Sequence, residues 1–168
     1  MAKVLLINGS PNEHGCTYTA LHEVEGVLRR HGIETEILWL GRKPVAGCIA
    51  CNTCARTGHC VFGPETFDDK VNRVLDELDS IDAIVAVSPV YYAAPNGSLI
   101  SMLNRMFYAG SASFAHKPGA AVVSCRRAAC WLRLPRGGRA SPFFSGAFTG
   151  WGAFSCAFTA RYWAKPMG

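Results

Sequence analysis

Four cysteines, Cys48, Cys51, Cys54 and Cys60, stand in the spacing C-x2-C-x2-C-x5-C within a segment running from Gly47 to Gly63. Thiolates are the ligands of iron–sulfur clusters and structural zinc, and the nucleophiles of thiol redox chemistry. Three of them two residues apart can wrap successive iron corners of a cubane, and a fourth a few residues later can close it. A bacterial ferredoxin sends its fourth cysteine to a second cluster and follows it with proline. Here Val61 follows Cys60 and no second set exists, so at most one cluster is expected. Zinc sites usually pair two C-x2-C knuckles across a longer insert than this segment holds. Three readings stand side by side: a [4Fe–4S] cluster on Cys48, Cys51, Cys54 and Cys60, free or redox-active thiols, and zinc. Cys16, Cys125, Cys130 and Cys156 are scattered, and the five histidines lack ligand spacing.

Two other segments could hold a ligand. Gly9-Ser10-Pro11-Asn12-Glu13-His14-Gly15-Cys16-Thr17 offers two hydroxyls, an amide and backbone N–H groups at a helix start. Such groups suit a phosphate held without lysine or magnesium. The same residues equally favour an ordinary capped helix start. The segment is neither a dinucleotide fingerprint nor a P-loop. Ser88 to Gly97 sets Tyr91 and Tyr92 between Pro89 and Pro95, which suits a flat heterocycle. It also reads as a proline-stiffened turn with two packed tyrosines. Nothing resembles a Ser-His-Asp set or a carboxylate pair, and no acid–base catalytic residue is named.

The elements that must position these residues are legible as hydrophobic patterns. Lys3–Asn8 is a short apolar run closed by turn formers, and Glu34–Leu40 is β-compatible. Between them Ala20, Leu21, Val24, Val27 and Leu28 recur at helical spacing, with Glu25 and Arg29 on the wet side and Gly32 as the stop. Phe67, Val71, Val74, Leu75 and Leu78 mark a second helix, and Leu99, Met102, Leu103, Met106 and Phe107 a third. Ala83–Val87 is apolar on both faces, as in a parallel sheet covered on each side, and Ala120–Val123 is the fourth strand. This alternation predicts an α/β fold with an open parallel sheet, whose ligands bind at the carboxyl ends of the strands.

Taken in order, Gly9-Ser10-Pro11, then Cys16-Thr17-Tyr18-Thr19, then Ser88-Pro89-Val90-Tyr91-Tyr92 with Pro95-Asn96-Gly97 and Leu99, resemble the NADPH-dependent FMN reductase family of flavodoxin-like proteins over roughly residues 2–127. The cysteine segment resembles the compact motif of the iron–sulfur flavoproteins in the same superfamily. The resemblance implies a flavodoxin-like sheet of order 2-1-3-4-5 with helices on both faces, and FMN as cofactor. Ser10, Asn12, Cys16 and Thr17 would surround its phosphate. Pro89, Val90, Tyr91, Tyr92, Asn96 and Gly97 would border the isoalloxazine, with Ser124, Cys125 and Arg126 closing the third side. For Arg126 and Arg127 a solvated charged turn fits as well. The implied activity is that of a flavin oxidoreductase passing electrons from NAD(P)H through FMN to a quinone, small molecule or protein. Without a dinucleotide fingerprint, the nicotinamide would stack on the flavin transiently. The alternatives are an electron carrier with FMN and a [4Fe–4S] cluster fed by ferredoxin, and a cysteine-based metal or redox-sensing module. The resemblance also implies a homodimer or homotetramer.

Charge is unevenly distributed behind the net +5. All 12 acidic residues lie at or before Asp82, and none follows. The arginines of the later part are spread through Gly-, Ala- and Phe-rich sequence without a recognised nucleic-acid module, so no nucleic acid is expected. No apolar run approaches a membrane span, and the N-terminus lacks the pattern of a secretory signal, so a cytoplasmic protein with reduced cysteines is expected. The family pattern stops soon after Cys125. Residues 1–125 carry every Val and Ile of the chain, and residues 126–168 carry neither. The expected domain is therefore 1–125, while 126–168 is an anomalous basic tail in which the fifth strand and last helix are in doubt. Only Ala153–Thr159 has any strand character there. A shift of reading frame near residue 128 accounts for such a tail, as does a native segment that covers the flavin or a dimer contact. Translating the other two frames of the coding DNA separates them.

Overall fold

The computed structural model describes residues 1–63, 70–92 and 94–125, and the backbone of 129–133. Strand β1 (Lys3–Asn8) lies between β2 (Glu34–Trp39) and β3 (Ala83–Tyr91), parallel to both. Five of its six residues are buried, which explains why its sequence is apolar without alternation: both faces of a central parallel strand are covered. Strand β5 (Gly119–Ser124) continues the sheet in parallel beside β3, with Ile84 opposite Gly119 and Pro89 opposite Ser124.

The two faces divide by side-chain parity. Leu5 and Ile7 point into one core with Leu38, Val71, Val74, Leu78, Leu99, Met102 and Met106. That face is covered by α3 (Val71–Glu77), a single 3-10 turn (Leu78–Ser80), α4 (Gly97–Ala109) and α5 (Ser111–Phe114). Val4 and Leu6 point the other way, with Val85, Val87 and Val122, onto Leu21 of α1 (Cys16–Arg30). Each Leu or Ile so buried contributes about 1.5–3 kcal/mol. Helix α1 ends in a Schellman motif: Gly32 at φ 72° donates its N–H to Arg29 O, and Ile33 donates to Leu28 O.

The order β2-β1-β3-β5, with β6 (Ala129–Arg133) beyond β5, places the topological switch at β1, so the crevice beyond its carboxyl end is the expected ligand site. With the two-residue β4 (Ala94–Pro95), which pairs with the end of β3, set aside, the parallel strands follow the expected order 2-1-3-4, and the fifth place is taken by β6, which runs antiparallel to β5.

Several expectations are corrected. The third strand does not end at Val87; it runs on to Tyr91 and pairs antiparallel with Ala94–Pro95, so much of the expected Ser88–Gly97 loop is strand. Glu25 is not on the wet side. It is 6% exposed, because His22, Arg29 and Thr35 close over its carboxylate. After Cys125 the chain reverses, and β6 (Ala129–Arg133) pairs antiparallel with β5, from Ser124 opposite Ala129 to Ala120 opposite Arg133. A strand at that position was not expected from W-L-R-L. The start of the second helix at Phe67, Arg126, Arg127, Cys156 and Ala153–Thr159 lie outside the described residues.

Candidate functional site

The site begins where β1 ends. Asn8 is fully buried, accepts the Ser10 N–H at 3.0 Å on Oδ1 and donates Nδ2 to Glu13 O at 3.2 Å. Ser10 Oγ in turn accepts the Asn12 N–H at 3.1 Å. From the neighbouring strand, Trp39 donates its indole N–H to Ser10 O at 2.8 Å, and Arg42 Nε donates to Pro11 O at 3.3 Å. The loop is thereby held from inside and from one side. It delivers Gly15 to the start of α1, where no side chain caps the helix and no acid sits in the first turn. The first-turn amides of Cys16, Thr17 and Tyr18 have no intrahelical acceptor, and the helix dipole adds a partial positive charge. Thr17 is buried there, while Cys16 is exposed.

Gly9 brings the second segment against the first. Its N–H donates to Val87 O at 2.8 Å, and its carbonyl accepts Asn96 Nδ2 at 2.6 Å. Asn96 also caps α4 by accepting the Ser98 N–H at 3.1 Å, while its own N–H donates to the buried Ser88 Oγ at 2.9 Å. Asn96 is thus a structural joint as well as a candidate cofactor contact. Beyond it Gly97 presents bare backbone: a Cβ there would meet nothing within 4 Å. Pro89 and Val90 are partly buried, Tyr91 is half-exposed, and Tyr92 stands fully in solvent at the hairpin tip. Pro89 lies opposite Ser124, which brings Ser124 and the exposed Cys125 to the same end of the sheet.

The cysteine segment leaves the carboxyl end of β2 and forms its own cavity. Cys48, Cys51, Cys54 and Cys60 all line it, with Phe62, Arg105 and Tyr108 among the other walls. Two residues between the first three cysteines, Ala50 and Asn52, take positive φ of 54° and 57°. Such left-handed residues turn the chain sharply between the cysteines, and Ala50 N–H donates to Cys48 Sγ at 3.4 Å. Asn52 is steadied by the Tyr108 hydroxyl, which donates to its Oδ1 at 2.9 Å. Helix α2 (Cys54–Thr57) closes on Gly58 at φ 73° and returns the chain to Cys60. Asn72 clamps Cys60 at both backbone groups, accepting its N–H at 2.8 Å and donating to its carbonyl at 2.9 Å.

Hydrogen bonds from the Thr53 hydroxyl and backbone hold the Cys51 thiol below its ordinary pKa. His59 is raised by its 2.6 Å contact with Asp76 and then by the Thr57 carbonyl. Among the described residues no three His, Cys, Asp or Glu side chains gather as ligands of a single ion. The four thiols around one cavity are the donor set of a [4Fe–4S] cluster and equally of a structural zinc.

A family model for NADPH-dependent FMN reductases matches residues 2–132. The chain belongs to this family. Among its curated relatives, an iron–sulfur flavoprotein of Methanocaldococcus jannaschii is 33% identical over 61% of the chain and 51% of that protein. Iron–sulfur flavoproteins of Archaeoglobus fulgidus and Methanosarcina thermophila are 29% and 26% identical, over 69% and 71% of this chain and 48% and 61% of theirs. The chain therefore spans about half the length of the first two relatives and somewhat more of the third. In fold it is similar to RosB, solved with a bound 8-demethyl-8-formylriboflavin-5'-phosphate intermediate (TM-score 0.53, 13% identity, 74% of this chain and 52% of that one). It is likewise similar to FerB of Paracoccus denitrificans, a flavoenzyme NAD(P)H:(acceptor) oxidoreductase (TM-score 0.51, 22% identity, 73% and 60%).

The sequence pattern pointed to the loops at the strand ends and not to the residues that hold those loops in place. Asn8 and Trp39 fell inside expected strands, and Asn72 and Arg105 inside expected helices, without being singled out. Arg105 offered one signal: it falls between Met102 and Met106, on the apolar stripe of its helix. A charge on that stripe has to be buried or to have a function.

Proposed function

We propose that the chain is a flavin-dependent oxidoreductase that binds FMN across the carboxyl ends of β1, β3 and β5 and takes electrons from NAD(P)H for a quinone, another small molecule or a protein acceptor. The observation that carries this reading is the uncapped, acid-free start of α1, fed by a loop whose shape is held by Asn8, Ser10 and Trp39. A phosphate monoester is the ligand chemistry such amides select. Bound FMN supplies the redox chemistry, accepting a hydride and releasing electrons. In this reading Ser10, Asn12, Cys16 and Thr17 hold its phosphate. Pro89, Val90, Tyr91, Tyr92, Asn96 and Gly97 border the ring, with Ser124 and Cys125 on the third side. These residues bind and orient; none is assigned a proton. Anaerobically purified chain should show flavin bands that bleach on adding NADH or NADPH. A colourless chain that cannot be reconstituted with FMN overturns the reading.

The cysteine cavity favours a second reading, an electron carrier with FMN and a [4Fe–4S] cluster on Cys48, Cys51, Cys54 and Cys60, fed by a ferredoxin. Helix α4 links the two regions, with Asn96 at its cap and Arg105 about 13 Å along its axis. Iron and acid-labile sulfide near about four each per chain, with bleaching by reduced ferredoxin and not by NAD(P)H, supports the carrier. Flavin bands without iron overturn it.

A further inference from the structure

Arg105 is 1% exposed and lies beneath the cysteine cavity. A guanidinium is almost never so deeply buried without partners that repay its lost hydration. Its contacts reach both ends of the cysteine segment. Nη1 donates to Ala46 O at 3.3 Å, just before Cys48, and Nη2 donates to Phe62 O at 3.0 Å, just after Cys60. Nε donates to Cys60 Sγ at 3.1 Å, and the Phe62 ring lies 5.0 Å from the guanidinium carbon. One planar fork therefore ties the loop closed and faces one of its four sulfurs, a task that a lysine's point charge cannot copy.

We propose that Arg105 is the positioning residue of the cysteine cavity: it preorganises the loop, and its fixed charge against the Cys60 sulfur makes a thiolate-bound iron–sulfur group seated there easier to reduce. Reduction adds negative charge to such a group, and a cation held in a dry site stabilises the reduced form more than the oxidised one. Hydrogen bonds to sulfur act in the same direction. The charge half of this inference rests on the cluster reading above; the loop half does not.

The test uses the full chain and the variants Arg105→Met, which keeps the stem without the charge, and Arg105→Lys, which keeps the charge without the fork. In anaerobically reconstituted, FMN-loaded protein, an EPR-monitored redox titration should place the Met variant's cluster at a more negative midpoint than wild type, with Lys between them. The flavin midpoint should not move and serves as the internal reference. In metal-free protein, hydrogen exchange of amides 46–62 should be about tenfold faster in both variants, the scale of losing one or two hydrogen bonds. Unchanged FMN binding and protected β1 amides show that the sheet is intact. A wild-type cluster midpoint in the Met variant overturns the charge half, and wild-type loop exchange overturns the loop half. A wild-type chain that takes up no iron overturns the cluster reading and the charge half with it, while the exchange result still decides the loop.

Discussion

The Asn96 side-chain amide donates to the Gly9 carbonyl at 2.6 Å, joining the loop after β1 to the cap of α4 across 87 residues of sequence. The other end of the same side chain caps the helix. Asn96→Ala removes both at once. It should cost about 1–2 kcal/mol, as loss of a helix cap does, read as a lower urea midpoint with unchanged slope. FMN affinity should fall in the same variant.

Gly9 is a packing requirement. A Cβ there would lie 2.8 Å from Val87 O and 2.9 Å from Leu99 Cδ2, contacts that the sheet and α4 cannot both relieve. Gly9→Ala should destabilise by about 1–3 kcal/mol in urea unfolding. Gly97→Ala is the contrast. Its Cβ meets open space in the first turn of α4, so stability should hold while a fluorescence titration shows weaker FMN binding.

Glu36 stands 2.8 Å from Lys3 Nζ and 2.6 Å from Arg73. The Lys3 hydrogen bond, opposed by burial, holds its carboxyl below the ordinary range, while Lys3 is raised by the same bond. A lowered carboxyl contributes stability above its unfolded value of about 4.3, and loses it as pH falls through the lowered folded value. The raised Lys3 contributes below its unfolded value and loses that only in strong alkali. Glu36→Gln should therefore be less stable than wild type by up to about 1 kcal/mol at pH 7. The two proteins should converge in thermal melts taken at strongly acid pH, and a gap that persists there counts against the pair.

Cys60 is the cysteine whose sulfur and backbone are both held by α4 and α3. Cys60→Ser should abolish iron retention on anaerobic reconstitution while leaving the flavin spectrum in place. Loss of the flavin together with iron would show that the cavity and the flavin loops do not behave as separate sites.

Much of this architecture is written in local pattern. The continuous apolar run at β1, the helical stripe of Leu99, Met102 and Met106, and Gly32 as a left-handed stop each follow from side-chain period or backbone freedom within a few residues. The loops were legible because turn formers directly follow the apolar runs. The hairpin at Tyr91 and the strand at Ala129–Arg133 were not, because pairing with β4 and β5 is decided by a partner distant from the local pattern.

The cysteine spacing by itself determined which ligands were open to this protein, and the order of its loop motifs determined its family. Only the tertiary structure decided that Glu25 is buried, that Asn96 closes on Gly9, and that Arg105 lies under Cys60. The physical reason is the same in each case. A polar side chain's role depends on which distant group takes its hydrogen bonds once water is excluded, and neither residue type nor spacing records that partner.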